Sequence, residues 1–295
     1  MKKLLCLLLI FSVTSCSLSR LVVRVTHPLI LGVQKSCLEE KNIMFAEQAF
    51  PGLIKLAEGI FYTEPSSVFY ASKLAFLYGA YCFAYLDETP FDEFDRNSEF
   101  KKQQILDFYR RSKYFALQAL SLKHKNCQAD LYDKTRIDKF LLSVKNSESE
   151  ALFWLCFSWA MEIFTSLEDP KALSELWIIE KLALHSSRID PEYFCGGAFS
   201  ILAAYWGARS DLLGGSSEKA REFYSRALEY NKNRSLIPHY VNMRYISIVK
   251  ENASEFEDLA ANISNFNAGS SDTALINEVI KKKAVSLFSK KDNFF

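Results

Sequence analysis

Three stretches of this chain, Phe69–Leu86, Ala151–Leu167 and Phe199–Gly207, are apolar around most of a helical circumference. A helix of that kind is stable only when neighbours cover it on every side. Each is followed by a polar loop, at Asp87–Phe100, Glu168–Lys171 and Arg209–Ser217, and then by an amphipathic stretch. In the third, Ala220, Phe223, Tyr224, Ala227 and Leu228 fall at i, i+3, i+4, i+7 and i+8, one stripe of a helix. Ser216 or Ser217 is placed to cap it, with Glu218 in the first turn. Ile105, Phe108, Tyr109, Ser112, Ala116, Ala119 and Leu120 repeat the spacing, as do Leu53, Leu56, Ala57 and Ile60. Near the end, so do Ile276, Ile280, Ala284, Leu287 and Phe288. Alternating inner and outer helices is what stacked helical hairpins require, so the expected fold is all-α and α-solenoid-like.

Composition excludes the competitors. Gly and Pro number 10 and 7, roughly half of average usage, too few turn-formers for a many-stranded β fold. With 49% apolar and 24% charged residues the chain is not disordered. A net charge of +1 leaves no basic field to hold nucleic acid.

Inside the pairs, small residues stand where two helices would touch. Ala203-Ala204-Tyr205-Trp206-Gly207 is followed by Ala220, Tyr224 and Ala227-Leu228. Gly207 and Ala220 lie close to the spacing of about 12 that the tetratricopeptide pattern places there. Ala75-Phe76-Leu77-Tyr78-Gly79 begins in the same way, its second helix (Ser112, Ala116, Ala119-Leu120) delayed by the Asp87–Phe100 insertion. Trp154–Ser158 with Leu176 is a poorer third copy, and no copy carries the closing Pro. Close helix packing is the favoured role of these glycines, and Gly196, Gly197, Gly214 and Gly215 are expected to form structural turns.

The N-terminus reads as an export signal. Lys2 and Lys3 precede an apolar run from Leu4 to Val13, too short to span a bilayer. Val13-Thr14-Ser15-Cys16 resembles the lipobox of bacterial lipoproteins, which predicts a signal peptide over 1–15 and lipid on Cys16. An ordinary cleaved signal and a buried N-terminal helix are the competing readings. Acyl chains contribute about 0.8 kcal/mol per buried methylene, enough to anchor a multiply acylated Cys16 at the membrane. Ser17, where an Asp would signal inner-membrane retention in some bacteria, leans toward the outer membrane. A linker is expected over 16–40, the helical domain over 41–290 and a short tail over 291–295. Cys37, Cys82, Cys127, Cys156 and Cys195 remain, without metal spacing. Five buried small hydrophobes is the favoured reading, with one disulfide as the alternative.

The chain resembles the T component associated with TRAP transporters, the tripartite ATP-independent periplasmic transporters. The resemblance spans roughly residues 40–290. Its specific part runs from Gly196-Gly197 through Tyr205-Trp206-Gly207-Ala208-Arg209 to Gly214-Gly215, then Glu218-Lys219-Ala220-Arg221-Glu222-Phe223-Tyr224. Glu47–Leu53 with Glu58-Gly59, Tyr78–Tyr85, Phe256–Leu259, Leu275–Asn277 and Lys283-Ala284 add to it. It implies a periplasmic, lipid-anchored, all-helical protein on degenerate tetratricopeptide-like repeats. It further implies a partner, the periplasmic solute-binding protein, a groove or pore for a small apolar or organic-anion ligand, and no enzymatic activity. Two stretches depart from the family pattern: Leu18–Cys37, oddly basic and apolar, and His124–Ser149, long and polar.

Motifs for catalysis are missing from the sequence: there is no GxGxxG, P-loop, HExxH or GxSxG. His27, His124, His185 and His239 stand apart, so no metal site and no cofactor are expected. The acidic run Asp87, Glu88, Asp92, Glu93, Asp95 and Glu99 lacks an EF-hand rhythm and reads as a solvated insertion. Gly214-Gly215 before Ser216 is read as a tight turn in preference to an anion site. The aromatic stripe Tyr78, Tyr81, Phe83 and Tyr85, with Tyr205 and Trp206, is the candidate ligand or partner surface, although inner-helix aromatics are more often core. Arg209, three residues after Trp206, would either meet a ligand carboxylate or bond helix-end carbonyls. The residues selected are therefore Tyr81, Tyr85, Tyr205, Trp206 and Arg209. The alternative function is an envelope-assembly scaffold without a small ligand; a homo-oligomer is compatible with either.

Overall fold

The structure, a computed structural model, describes residues 23, 25–87, 98–267 and 271–295. Among these residues there are helices and turns and no strand. Helices α1 (His27–Glu39), α2 (Ile43–Thr63) and α3 (Val68–Tyr81) lead to α4 (Ser98–Ser121), α5 (Cys127–Leu131) and α6 (Ile137–Ser143). Next come α7 (Ser149–Thr165), α8 (Pro170–Leu173), α9 (Leu176–Ile189) and α10 (Gly197–Gly207). The chain ends with α11 (Ser217–Asn231), α12 (Ile237–Asn242), α13 (Ala253–Ser264) and α14 (Ala274–Phe288).

The three all-round apolar stretches are α3, α7 and α10, and they form an inner row. Every residue from Tyr70 to Gly79 is buried, as is every residue from Gly197 to Tyr205. Helix α3 packs on α7, α7 on α10 and α10 on α12. The outer helices pair with them: α4 with α3, α9 with α7, α11 with α10. On α11 only Ala220, Ala227 and Asn231 are buried, the narrow stripe its period demands. Helix α14 closes the other side, against α12, α13, α1 and α2.

Local chemistry sets several starts. Asn42, Ser67, Ser216 and Asn252 each accept a hydrogen bond from the backbone N–H three residues on, the usual N-cap. Of the two serines placed to cap α11, Ser216 does so. The expected first loop is shorter than Asp87–Phe100, because α4 already begins at Ser98; residues 88–97 lie outside the described ones. Asp87 is no part of a solvated run. It is buried, its carboxylate accepts from the Tyr109 hydroxyl at 2.8 Å, and its carbonyl accepts from Lys283. Glu88, Asp92, Glu93 and Asp95 fall outside the described residues. The polar stretch His124–Ser149 folds into α5 and α6, which bury Cys127, Leu131, Ile137, Phe140 and Leu141. Within Leu18–Cys37, α1 packs on α14, buries Ile30 and Cys37, and stacks the His27 ring on Phe69 at 4.0 Å. Among the described residues, Cys37, Cys82, Cys127, Cys156 and Cys195 are free and buried.

Close approach requires glycine at two places. A Cβ on Gly207 would stand 2.7 Å from Ile246 Cγ1 and 2.8 Å from the Tyr245 carbonyl, so α10 meets the continuation of α12 without a side chain between them. A Cβ on Gly215 would lie 2.0 Å from the Arg209 carbonyl. Gly207→Val should lower stability by about 2–3 kcal/mol through overpacking. Gly52→Ala meets nothing within 4 Å and should raise stability by about 0.5–1 kcal/mol through helix propensity. Urea unfolding separates the two; small equal effects would mean that α10 and the α12 continuation do not touch there.

Candidate functional site

The inner row leaves a cavity of about 100 Å³. Each wall supplies residues at helical spacing: Phe76, Ala80, Phe83 and Ala84 from α3 and its continuation, and Phe153, Trp154, Phe157, Ala160, Met161 and Phe164 from α7. Helix α10 gives Gly197, Ser200, Ile201 and Ala204, and α12 with its continuation gives Ile237, Tyr240, Val241 and Tyr245. Leu275, Ile276 and Val279 of α14 close it. The surface is almost wholly apolar. Ser200 brings a buried hydroxyl with no partner among the described residues.

Two helices, α3 and α12, widen as they reach this cavity. Cys82–Leu86 continues α3, and Met243–Ser247 continues α12, both as π-helix. The bond from the Asp87 N–H to the Cys82 carbonyl, 2.8 Å, spans five residues as a π turn does. A π turn inserts one residue and re-aims those after it, which is why such turns gather at functional sites. Here they turn Phe83, Ala84 and Tyr245 into the wall.

Cations border the same end. Lys283 Nζ lies 4.7 Å from the Phe83 ring centre. The Arg244 guanidinium lies 5.0 Å from the Tyr245 ring and donates to the Tyr240 hydroxyl at 3.3 Å. Burial disfavours the Arg244 cation, yet the Tyr245 and Tyr240 phenols and the Asp87 carboxylate around it hold its pKa raised.

A second chamber of about 220 Å³ adjoins the first, sharing Leu38, Phe76, Phe194, Ile237 and Ile276 with it. Its remaining wall mixes Tyr193 and Cys195 with the polar Gln34, Glu192, Arg234, Ser235, Asp272 and Thr273. Arg234 pairs with Asp272 at 2.7 Å, and Lys232, outside the chamber, pairs with Glu192 at 2.6 Å.

None of the five residues selected from sequence faces the cavity. Tyr81 and Tyr85 are half-buried, 5.2 Å apart between ring centres, and both lie against Phe50. Tyr205 is buried and meets Trp206 edge-on at 5.1 Å. Burial pushes the phenols of Tyr81, Tyr85 and Tyr205 above their usual range. Arg209 stacks 4.6 Å from the Tyr205 ring and donates to the Tyr205 carbonyl at 3.1 Å, the helix-end role. Lys219 sits 3.8 Å from the Trp206 ring. Among the described residues the two groups share no ring contact. The cavity face is the adjacent stripe, and its signal in sequence was the small residues Ala80, Ala84 and Ala204 beside the tyrosines.

Gly214-Gly215 is a tight turn. Gly215 N–H donates to the Ser210 carbonyl and Ser216 N–H to the Trp206 carbonyl, both at 3.0 Å. The Asp211 carboxylate already accepts from the Ser217 N–H at 3.1 Å at the start of α11. Gly214, at φ 79°, and Gly196, at φ 74°, occupy the left-handed region. Gly197 is instead the first residue of α10, where a Cβ would meet the Phe153 ring at 2.7 Å. Cys16 lies outside the described residues. Among those described, no group of three His, Cys, Asp or Glu could hold a metal, and no helix is long and apolar enough to cross a membrane.

Burial lowers the pKa of His185, which sits 3.4 Å from the Val144 carbonyl, and of His239, 3.1 Å from the Tyr224 hydroxyl. A depressed folded-state pKa favours the neutral ring, so this stability is full above about pH 6.5 and falls as pH drops below it. The thermal midpoint should therefore fall on acidification from about pH 7.5 to about pH 5.5. A His185→Gln/His239→Gln variant should show a shallower fall; an equally steep one would place the titration elsewhere.

Compared with known proteins, the chain matches a family model described as TRAP transporter T-component over residues 39–295. No curated protein matches it.

Proposed function

We infer the role of this chain from its kinship: it belongs to the TRAP transporter T-component family. The family gives it an auxiliary part in TRAP transport and is not a family of enzymes. In our reading it docks the periplasmic solute-binding protein of such a system, and its cavity accepts or relays a small apolar or organic-anion solute.

The observation that carries this reading is the apolar cavity that the inner helices line. An apolar cavity left unfilled forgoes the packing contacts that its lining would otherwise make. A scaffold with no ligand has no reason to keep that void, since larger side chains at Ala80, Ala84 or Ala204 would fill it.

The test uses the unlipidated chain from Ser17 onward, tagged at its C-terminus, as bait in native envelope extract, with captured proteins and solutes identified by mass spectrometry. Capture of a periplasmic solute-binding protein together with a solute is expected. Ala204→Trp should keep the protein partner and lose the solute. Capture of cell-wall or outer-membrane assembly proteins alone would put the scaffold in its place.

In the same reading the chain is exported, acylated on Cys16 and held at the periplasmic face of a membrane, the outer one favoured by Ser17. Labelled palmitate should mark the wild-type chain, and Cys16→Ala should abolish both label and membrane association. Label that persists in Cys16→Ala would overturn the anchor.

A further inference from the structure

Helix α1 turns an apolar face outward. With Val25 just ahead of the helix, Pro28, Leu29, Gly32 and Ser36 follow at i+3, i+4, i+7 and i+11, and all five are exposed. Val25 and Leu29 leave 69% and 60% of their surface in contact with solvent, and Leu31 beside the stripe is exposed as well. The opposite side does the packing, through the buried Ile30 and Cys37. The outer side carries one charge, Lys35, which lies 3.9 Å from Glu39 in the last turn. A helix that only closed the fold would be polar on this side.

Position and charge together say what covers the face. The His27 ring stacks on Phe69 at 4.0 Å and the Thr26 hydroxyl meets the Tyr70 hydroxyl, so the start of α1 stands at the start of α3. Helix α2 ends at Thr63, shortly before α3 begins at Val68, which puts the exposed Tyr62 at the same end. Tyrosine is at home where an apolar layer meets water. Val25 is nine residues beyond Cys16 in sequence. A chain reaches at most about 3.6 Å per residue, so an acylated Cys16 holds Val25 within roughly 30 Å of the bilayer. From Ser17 to Ser36 the sequence contains Arg20, Arg24 and Lys35 and no Asp or Glu. Cations flanking an apolar helix face match an anionic lipid surface. At 13 residues, about 20 Å, α1 is too short to cross a bilayer and would lie along it.

We propose that the outer face of α1, with Val25, Pro28, Leu29 and Gly32, rests in the headgroup layer of an anionic phospholipid membrane. This rests on the lipid-anchored reading above and goes beyond it: the acyl chains set the distance to the membrane, and α1 sets which side of the molecule faces it. The face is small, so by itself it binds weakly and reversibly, and the anchor supplies the high local concentration that keeps it seated.

The experiment uses the unlipidated chain from Ser17 onward, so that the face is read without the anchor. Leu29→Cys carries an environment-sensitive fluorophore, with Leu142→Cys on α6, 79% exposed, as the control. The five native thiols do not compete, because burial raises the pKa of each. On vesicles of equal parts phosphatidylglycerol and phosphatidylcholine at low salt, the label at 29 should shift to the blue and the label at 142 should not. By vesicle flotation, Arg20→Gln or Arg24→Gln should weaken binding about five-fold each. The double variant Val25→Ser/Leu29→Ser should weaken it about ten-fold, while Leu142→Ser binds as the wild type and the thermal midpoints stay level. No binding by the wild-type chain, or equal binding by the double variant, would overturn the proposal. A dimer lost in the double variant with vesicle binding unchanged would give the face to a second copy and overturn it too. The palmitate label on Cys16 reads the anchor separately. Label without vesicle binding strikes the α1 face alone, and vesicle binding without label strikes the anchor alone.

Discussion

A helix that is apolar on all sides must be enclosed, and three of them in one chain must enclose one another. That requirement organises this molecule. Helices α3, α7 and α10 approach closely because small atoms stand where they and their partners meet. Gly79 lies where a Cβ would be 2.9 Å from both the Ser112 hydroxyl and the Trp154 ring. Ser112 itself donates to the Ala75 carbonyl at 2.6 Å, tying α4 to α3 without a gap. Around that junction Trp154 meets Phe76, Phe153, Phe157 and Phe194, with its indole N–H on the Tyr193 hydroxyl. Edge-on aromatic pairs of this kind add about 0.5–1.5 kcal/mol each beyond the area they bury.

The cavity is a consequence of the same packing. Small residues allow helices to meet on one face and leave space on the next, as Ala80, Ala84 and Ala204 do. The π segments at Cys82–Leu86 and Met243–Ser247 re-aim the wall where α3 and α12 continue. At that end the buried Asp87 carboxyl, the Tyr109 hydroxyl, Lys283 and Arg244 concentrate charge beside an apolar surface. Helix α14 completes the enclosure, so a segment close to the C-terminus decides whether the inner face is a groove or a chamber.

Much of the fold was legible in the residue pattern. The all-round apolar stretches mark the inner helices, the stripe Ala220–Leu228 marks an outer one, and Ser216 or Ser217 announces its start. His124–Ser149 was less readable because α5 and α6 are 5 and 7 residues long, too short to display a period. Asp87 looked solvated because a sequence counts charges and does not reveal that Tyr109 and Lys283, one of them 196 positions away, reach it.

The sequence alone determined the helical class, the alternation of buried and half-buried helices, and the family to which residues 39–295 belong. Those properties follow from the 3.6-residue period and from motifs read within a single stretch. Which stripe of an inner helix faces the void was decided only by tertiary structure. Tyr81 and Tyr85 sit one position from Ala80 and Ala84, and Tyr205 one from Ala204. A rotation of about 100° per residue separates the two faces. Which of them meets empty space depends on the size of side chains contributed by several other helices. Each of those side chains lies dozens of residues away in sequence, where periodicity carries no information.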